Sequence, residues 1–221
     1  MEIIGPVVQV AIDVLTIDEA LRVGEAALKA GATWLEAGTP LITFEGTRSI
    51  GALARAYPDV PVLADYKAMD GVAKYVVEAK RQGAQIATIC SVASDASLRA
   101  MVQAGKEQDV LIISDLYAHP NPPARARELQ VLGIDSAYVH LGADERREDP
   151  SRDPHRWLPA VVEAVQIPVG VGTFSVEDGV KAMNLGATVA VIGVPLITAA
   201  DPEAELREYV LRAQDAWAAR H

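Results

Sequence analysis

The sequence is poor in the residues that build disulfides, zinc sites and basic surfaces. Its 221 residues include one cysteine, Cys90, and four histidines, which excludes an intrachain disulfide framework and a cysteine-rich zinc site. Lysine and arginine number 20 against 30 aspartates and glutamates, so the formal net charge is −10 at pH 7. Because no basic cluster stands out, we expect no nucleic-acid partner.

Long apolar runs are also missing. No stretch reaches the roughly 18 to 20 residues that cross a bilayer, and the first residues carry neither a basic lead nor a small-residue cleavage site. We therefore expect a cytoplasmic protein without a membrane partner. The lone Cys90 lies in an apolar strand-like segment, residues 85–93, and we expect a buried, unreactive thiol there rather than a nucleophile.

A regular succession of short, β-branched runs is the main feature that the sequence does have. Segments with helical spacing of apolar residues separate these runs. Alternation of strand and helix implies parallel strands joined by right-handed crossovers, and eight such units close most simply into a barrel. We predict one α/β domain over residues 1–221, a (β/α)8 TIM barrel with these strands: VVQVAID, ATWLEAG, VPVLADYK, QIATICS, VLIISD, SAYVHLG, IPVGVG and ATVAVIG.

A doubly wound open sheet is the alternative architecture. It would need a glycine-rich phosphate loop after the first strand, and residues 11–20 contain none. Helix boundaries are marked by polar N-caps, predicted at Thr16, Asp70, Asp95 and Ser175. Several helices are predicted to close on a glycine: Gly31, Gly83, Gly133 and Gly186.

One charged segment, residues 142–157, interrupts the alternation after the sixth strand. Its prolines and charges predict a loop over the active-site face of the barrel. Its arginines are candidate contacts for a substrate anion, although interleaved acids favour a solvated, salt-bridged loop: Arg146, Arg147, Arg152 and Arg156. His119, four residues after Asp115, either lines the mouth or is incidental, and we favour the second interpretation.

Ionisable residues are concentrated at the carboxyl ends of the predicted strands, where loops of this barrel type carry function. Asp65 and Lys67 are two residues apart and therefore share a face of their strand, whereas Tyr66 points away. Each residue alone has a structural explanation, such as a cap or a surface ion pair. Together they come from five strands: Asp13, Glu36, Asp65, Lys67, Asp115 and His140.

Several carboxylates that share a barrel mouth repel one another unless a cation or a lysine holds them. Oxygen ligands from acids suit a hard cation, and Mg²⁺ is the most suitable because it keeps part of its water shell. The sequence therefore predicts a magnesium site beside Lys67. A Schiff-base aldolase that uses Lys67 is disfavoured, since the flanking acids would keep its amine charged.

The segment DYKAMD, residues 65–70, resembles the Asp-x-Lys-x-x-Asp signature of the orotidine 5′-monophosphate decarboxylase superfamily. Further segments are similar to the branch containing 3-hexulose-6-phosphate synthase and 3-keto-L-gulonate-6-phosphate decarboxylase: VQVAID, LEAGTPLI, VLADYKAMDG, SDLYA, YVHLGADE and ITAADP. The resemblance runs from about Val8 to Pro202, nearly the whole chain.

This resemblance implies roles for individual residues. Glu36 and Asp65 would bind Mg²⁺, Lys67 would lie beside the developing enediolate oxygen, and His140 would exchange a proton with the reacting carbon. Asp70 would reach across a homodimer interface into the neighbour's site, so that active sites are shared. The expected substrate contacts are Asp13, Asp115, Gly172, Thr173, Gly193 and Val194.

The chain also departs from the family pattern. Ala143 stands where the decarboxylases carry an arginine, three residues after the histidine, and this favours the synthase. The paired glycines that close on phosphate at the last two strands are here Gly172-Thr173 and Gly193-Val194. Thr173 is expected to offer a hydroxyl, whereas Val194 adds bulk and the following proline has no N–H to donate.

The first functional hypothesis is a Mg²⁺-dependent aldolase that acts on a ketose phosphate through an enediolate, as a 3-hexulose-6-phosphate synthase does with ribulose 5-phosphate and formaldehyde. The alternative is a decarboxylase of a 3-keto sugar acid, acting on a phosphorylated, non-phosphorylated or modified substrate. A non-catalytic barrel that serves as a binding module ranks last, because the expected catalytic acids are all present.

Overall fold

A computed structural model of the chain describes residues 1–220. Eight parallel strands form one closed barrel in sequence order, which confirms the predicted TIM-barrel architecture. Neighbouring strands are in parallel register all the way round, including the closing pair between the first and the eighth. The strands are β1 (Val7–Ile12), β2 (Trp34–Ala37), β3 (Val62–Ala68), β4 (Ile86–Cys90), β5 (Leu111–Asp115), β6 (Ser136–Val139), β7 (Val169–Thr173) and β8 (Val189–Ile192).

Helices surround the barrel because the crossover segments bury one apolar face each against the outside of the strands. They are α1 (Ile17–Lys29), α2 (Thr39–Glu45), α3 (Arg48–Ala56), α4 (Ala73–Gln82), α5 (Asp95–Gln108), α6 (Pro122–Leu132), α7 (Ala143–Glu148), α8 (Leu158–Ala164), α9 (Val176–Asn184) and α10 (Pro202–Ala218). A short 3₁₀ helix, Leu196–Thr198, follows β8.

Side chains that alternate along each strand separate two apolar regions. Outward-facing residues form the large core between the barrel and the helices. Inward-facing residues fill the lower half of the barrel interior, near the amino ends of the strands, so the barrel is packed rather than hollow. This inner group comprises Ile3, Val7, Trp34, Leu63, Ile86, Ile113, Tyr138 and Val189.

The helix-boundary predictions are confirmed in part. Thr16 and Ser175 cap α1 and α9 with their side chains. The prediction at Asp95 is wrong, because the Ser94 hydroxyl caps α5 and Asp95 is its first residue. The prediction at Asp70 is also wrong, since α4 begins only at Ala73. All four predicted helix-closing glycines have a positive φ, which suits a left-handed helix end.

The charged segment is more ordered than the sequence predicts. Residues 143–148 form helix α7, where we expected a loop, because Gly142 begins the helix and Glu145 accepts a hydrogen bond from its backbone N–H. The turns that follow lead into α8. Within residues 1–220, none of the helices has the length and apolar character needed to cross a bilayer. The single-domain and cytoplasmic assignments stay predictions.

Candidate active site

A cavity of about 160 Å³ opens at the carboxyl ends of the strands. It brings together residues from all eight strands, as expected for the functional face of this fold. Asp70 is the one predicted site residue that does not line it, and it lies exposed beyond β3. The predicted residues that do line it are Asp13, Glu36, Asp65, Lys67, Asp115, His140, Gly172, Thr173, Gly193 and Val194.

Asp65 is the most extensively paired acid of the cavity. Lys67 forms a short ion pair with its Oδ2 atom, and Thr39 donates to the same oxygen at 2.6 Å. Thr88 donates to Oδ1 at 2.7 Å. Burial alone would raise the pKa of Asp65, but the charge of Lys67 and these hydrogen bonds outweigh burial and leave the pKa below its ordinary value.

Lys67 owes its position to an irregular backbone. Its φ of 45° lies in the left-handed region, which is uncommon for a residue with a side chain. The pairing of β3 with β4 shifts register between Ala64 and Ala68, and the Thr88 hydroxyl accepts the Lys67 backbone N–H at 3.0 Å. The bulge thus directs the lysine back onto Asp65, with which the sequence predicted it to share a face.

The charge of Lys67 is firmly held. Burial would lower the pKa of its ammonium, but the carboxylates of Asp65, Glu36 and Asp115 raise it well above the ordinary value. The amine therefore stays protonated at neutral pH. This state favours electrostatic stabilisation of a developing anion and disfavours a Schiff base, which needs a free amine.

Glu36 and Asp13 are further acids of the cavity, and Lys67 forms its ion pair with Asp65 rather than with either of them. Burial raises the pKa of Glu36 well above its ordinary value, and the carboxylates of Asp65 and Asp13 act in the same direction. Loss of hydration also raises the pKa of Asp13, with Asp65 as the second cause. Because these acids repel one another when ionised, an additional cation beside them would be electrostatically favourable.

This donor set fits magnesium. Within residues 1–220, no group of three or more His, Cys, Asp or Glu side chains is arranged to hold a metal ion by itself. Mg²⁺ is usually bound through one or two carboxylates and keeps several waters, so Glu36 and Asp65 suffice as protein ligands. Zinc is disfavoured, because the thiol near these acids, Cys90, has a raised pKa, and His140 is the one imidazole among the residues that line the cavity.

His140 and Asp115 form a second pair on the opposite side of the cavity. The His140 Nδ1 atom lies 2.7 Å from Asp115 Oδ2, and Asp115 Oδ1 accepts the backbone N–H of Tyr117 at 2.8 Å. Burial would lower the pKa of His140, but the charge and hydrogen bond of Asp115 raise it above the ordinary value. The arrangement orients the imidazole, which suits it for proton transfer.

The end of the cavity formed by β7 and β8 differs from the prediction in one respect. Thr173 directs its hydroxyl away from the cavity: the hydroxyl donates to the Val191 carbonyl at 2.7 Å and accepts from Tyr209, also at 2.7 Å. The hydroxyl hydrogen is therefore already used within the protein, and a contact of Thr173 with substrate stays a prediction. Gly172 and Gly193 remain beside the cavity without side chains, and Val194 is exposed there.

The charged segment and His119 belong to a neighbouring groove of about 580 Å³. This groove is lined by His119, Arg152 and Arg156 and meets the cavity at His140. The Arg146 guanidinium stacks on the ring of Phe174, and Arg147 pairs with Asp144. None of the four arginines lines the cavity. Ion pairs within the segment support the expectation of a salt-bridged surface.

Cys90 lies nearer the site than expected. It is half-buried rather than buried, and its thiol donates weakly to the Lys67 carbonyl at 3.4 Å. Loss of hydration, with the nearby carboxylate of Asp115, raises its pKa to about 11. A thiol with such a pKa is almost entirely protonated at neutral pH, which agrees with the expected lack of reactivity.

Four polar residues of the cavity region were not anticipated from the sequence: Gln9, Thr39, Thr88 and Tyr138. Alternation offers a signal for three of them, because Gln9, Thr88 and Tyr138 each lie an even number of residues from an inward-facing neighbour on their strand. Thr39 follows β2 by two residues, and only the turn into α2 brings it to Asp65.

The chain matches the sequence model of the orotidine 5′-phosphate decarboxylase / HUMPS family over residues 6–209. It is 35% identical over 207 residues to the 3-hexulose-6-phosphate synthase of Mycobacterium gastri, which spans 90% of this chain and 96% of that protein. The solved 3-hexulose-6-phosphate synthase of Salmonella typhimurium aligns with a TM-score of 0.89 at 28% identity, covering 98% of this chain and 100% of that one.

A third similarity bears on the fold alone. The structure of 3-keto-L-gulonate-6-phosphate decarboxylase from Vibrio cholerae aligns with a TM-score of 0.78 and covers 96% of this chain and 99% of that one. Its sequence identity is only 22%. The barrel is therefore shared between synthases and decarboxylases, and the choice of reaction has to come from individual side chains.

Proposed function

The chain belongs to the orotidine 5′-phosphate decarboxylase / HUMPS family and is a carbon–carbon lyase, and on this premise we propose that it acts as a 3-hexulose-6-phosphate synthase. The reaction would join formaldehyde to ribulose 5-phosphate, or release it in the reverse direction. The single observation that carries the proposal is the buried ion pair of Lys67 with Asp65, with Glu36 in the same cavity.

The chemistry of the synthase requires an enediolate. A base takes a proton from C1 of ribulose 5-phosphate, and the electron pair of that C–H bond moves toward the C2 carbonyl oxygen. The Lys67 ammonium, held charged by its neighbours, is suited to stabilise the negative oxygen. The nucleophilic carbon then forms a bond to formaldehyde, whose oxygen becomes an alkoxide and takes up a proton.

Glu36 and Asp65 are the residues that would hold magnesium in this proposal. The ion would supply a Lewis acid for the two neighbouring oxygens of the substrate. Asp65 is fixed by Thr39, Thr88 and Lys67, so its carboxylate cannot turn away from the cavity without losing several hydrogen bonds. Asp13, which follows β1 beside Glu36, would accept a hydroxyl of the sugar.

His140 is the group that we assign to proton transfer at the reacting carbon. Asp115 bonds its Nδ1 atom, so Nε2 is the ring nitrogen left for a substrate. One carboxylate oxygen of Asp115 accepts the Tyr117 backbone N–H. We therefore propose that Asp115 acts on the substrate indirectly, by orienting His140. Gly172 and Gly193 have no side chain, so their backbone is accessible from the cavity and would bind the phosphate. Thr173 and Val194 lie beside them.

We also propose that the chain forms a homodimer with shared active sites. Asp70 is exposed next to the cavity-lining end of β3, where it would enter the partner's site. Large apolar side chains lie exposed after three consecutive strands, as a dimer surface requires: Phe44, Met69 and Val92. The number of chains in solution, measured by light scattering together with D70A activity, tests this part.

Decarboxylation of a 3-keto sugar acid remains the second candidate, because one enediolate serves both reactions. Ala143 favours the synthase, since it provides no cation for the departing carboxylate or for proton delivery. Thr173 and Val194 stand where the family pattern has glycines that close on phosphate. The decarboxylase hypothesis therefore includes non-phosphorylated or modified substrates. A panel of candidate 3-keto sugar acids with and without phosphate therefore accompanies the synthase assay.

The deciding experiment measures formaldehyde consumption with ribulose 5-phosphate, and CO₂ release from 3-keto-L-gulonate 6-phosphate, each with and without Mg²⁺. We expect magnesium-dependent loss of formaldehyde and little CO₂. Asp65→Ala should abolish turnover, while Arg147→Ala, which alters an exposed ion pair outside the cavity, should not. CO₂ release without formaldehyde chemistry would replace the synthase by the decarboxylase.

A further inference from the structure

A buried hydrogen-bonded chain runs from Glu36 across the barrel interior to β6. Gln9 Nε2 donates to Glu36 Oε2 at 2.5 Å, and the Tyr138 hydroxyl bonds Gln9 Oε1 at 2.8 Å. All three residues are buried: Glu36 is 7% exposed, Gln9 1% and Tyr138 8%. They link strands β2, β1 and β6, and all three line the cavity.

The hydrogen-bonding capacities of the three groups fix the direction of every bond. A metal-binding carboxylate only accepts, so the Gln9 amide nitrogen has to donate to Glu36. The Gln9 carbonyl oxygen then faces Tyr138, whose hydroxyl has to donate to it. The Tyr138 hydroxyl therefore decides which end of the Gln9 amide faces Glu36, because without it the amide could rotate.

The Tyr138 ring fits in its place because residue 170, opposite it, is a glycine. Gly170 is its cross-strand partner on β7. A Cβ atom at residue 170 would lie 2.5 Å from both Cδ1 and Cε1 of the Tyr138 ring, far inside van der Waals contact. The ring is thus fitted against the bare backbone of β7, and its hydroxyl is aimed at Gln9.

We propose that Gln9 and Tyr138, seated by Gly170, are positioning residues that aim the Glu36 carboxylate at the cavity for magnesium binding. The inference rests on the proposed function for the role of Glu36, but not on the identity of the sugar. Groups that orient a metal ligand from behind typically change metal affinity or activity roughly 10- to 100-fold when removed.

A purely structural role would have a different signature. Tyr138 and Gln9 would then only satisfy each other's buried polar atoms, and their loss would lower stability without changing metal affinity. Tyr138→Phe separates these possibilities, because it removes one oxygen and leaves the ring in its place against Gly170. Gln9→Met is the companion variant, since it keeps the length of the side chain and removes both polar atoms.

The experiment is calorimetric titration of the protein with Mg²⁺ alone, followed by turnover with ribulose 5-phosphate and formaldehyde. We expect both variants to weaken Mg²⁺ binding roughly 10- to 100-fold and to lower kcat, with a far-ultraviolet circular dichroism spectrum like that of the wild type. The double variant should be little worse than either single one, because both act through Glu36. Gly170→Ala should act in the same direction by displacing the ring.

The matched control is Tyr57→Phe. Tyr57 also donates its hydroxyl to a protein acceptor, the Leu21 carbonyl at 2.6 Å, but it lies among the outer helices. It should lose stability without any change in Mg²⁺ affinity. If Tyr138→Phe behaves like this control, the positioning role is overturned.

The two readouts also separate this inference from the proposed function. If the wild type binds Mg²⁺ but does not consume formaldehyde, the synthase assignment fails and the titration still decides the role of Tyr138. If it consumes formaldehyde without binding Mg²⁺, the synthase assignment stands and the positioning role toward magnesium is overturned. Failure of both wild-type measurements overturns the inference, since Glu36 would then have nothing to be positioned for.

Discussion

The lower and upper halves of the barrel interior are built on the same strands but follow opposite rules. In the lower half, side chains such as Ile86 and Leu63 are apolar and completely buried. Two residues further along the same strands, Thr88 and Asp65 are polar and hydrogen-bonded to each other. Apolar burial stabilises the first region, whereas the second buries charge at an energetic cost. The lower half therefore supports a site that would not be stable alone.

Substitution of Lys67 by methionine, in the upper half, should cause the largest loss of activity. The variant keeps the length of the side chain but removes the ammonium that faces Asp65 and the substrate oxygen. Loss of a single group that stabilises a developing oxyanion typically lowers kcat roughly 10²- to 10³-fold. Steady-state kinetics and circular dichroism check this, and a folded variant with wild-type kcat would remove Lys67 from the mechanism.

Ile86→Ala should show the opposite behaviour on strand β4. Ile86 is completely buried in the lower half and lies outside the cavity lining. Truncation of a core isoleucine costs about 2 to 5 kcal/mol through lost burial and the remaining cavity. Urea unfolding measures the loss, and kcat per folded molecule should stay near the wild-type value. A large fall in kcat without a loss of stability would contradict the division between the two halves.

The same division explains what could be predicted from the sequence. The apolar alternation of strands and the acids at their ends are periodic signals, so the barrel could be predicted, and ten of the eleven predicted site residues line the cavity at its mouth. The pairing of Asp65 with Lys67 could also be predicted, although the left-handed backbone at Lys67 could not. Roles and the homodimer stay predictions.

The errors come from contacts between residues far apart in the chain. Thr173 was expected to offer its hydroxyl to substrate, and the sequence gives no sign that this hydroxyl bonds Tyr209 on the last helix. Thr39 reaches Asp65 from the first turn of α2, and no local pattern signals that contact. Asp70 was predicted to cap a helix from Gly71, yet α4 starts only at Ala73. Such features depend on packing between elements rather than on periodicity.

Replacement of Asp115 by asparagine should sharpen the electrostatic side of the comparison. In the wild type, Asp115 raises the pKa of His140 against the effect of burial. Without its charge, burial dominates and the His140 pKa should fall. The limb of the pH–kcat/KM profile that reports His140 should move to lower pH, whether the neutral or the protonated form is active. NMR titration of the imidazole checks the shift directly.

The stability of the wild type should follow the same titration. A raised native pKa means that charged His140 stabilises the fold below its unfolded pKa of about 6.5. This contribution should be lost as the pH rises through the native pKa. Unfolding free energies measured across this interval should therefore decline more in the wild type than in Asp115→Asn. Parallel curves would show that the pair is not coupled to folding.

The smallest expected effect concerns Cys90, which lies at the boundary between the two regions. Its pKa, raised to about 11, leaves roughly one thiol in 10⁴ ionised at pH 7, compared with about 3% for an ordinary cysteine of pKa 8.5. Alkylation by iodoacetamide should therefore be slow and should accelerate steadily up to pH 10. Lys67→Met should slow it slightly further, because the nearby ammonium favours the thiolate. Rapid labelling at pH 7 would show that the upper half of the barrel is more open to water than its hydrogen-bonded acids indicate.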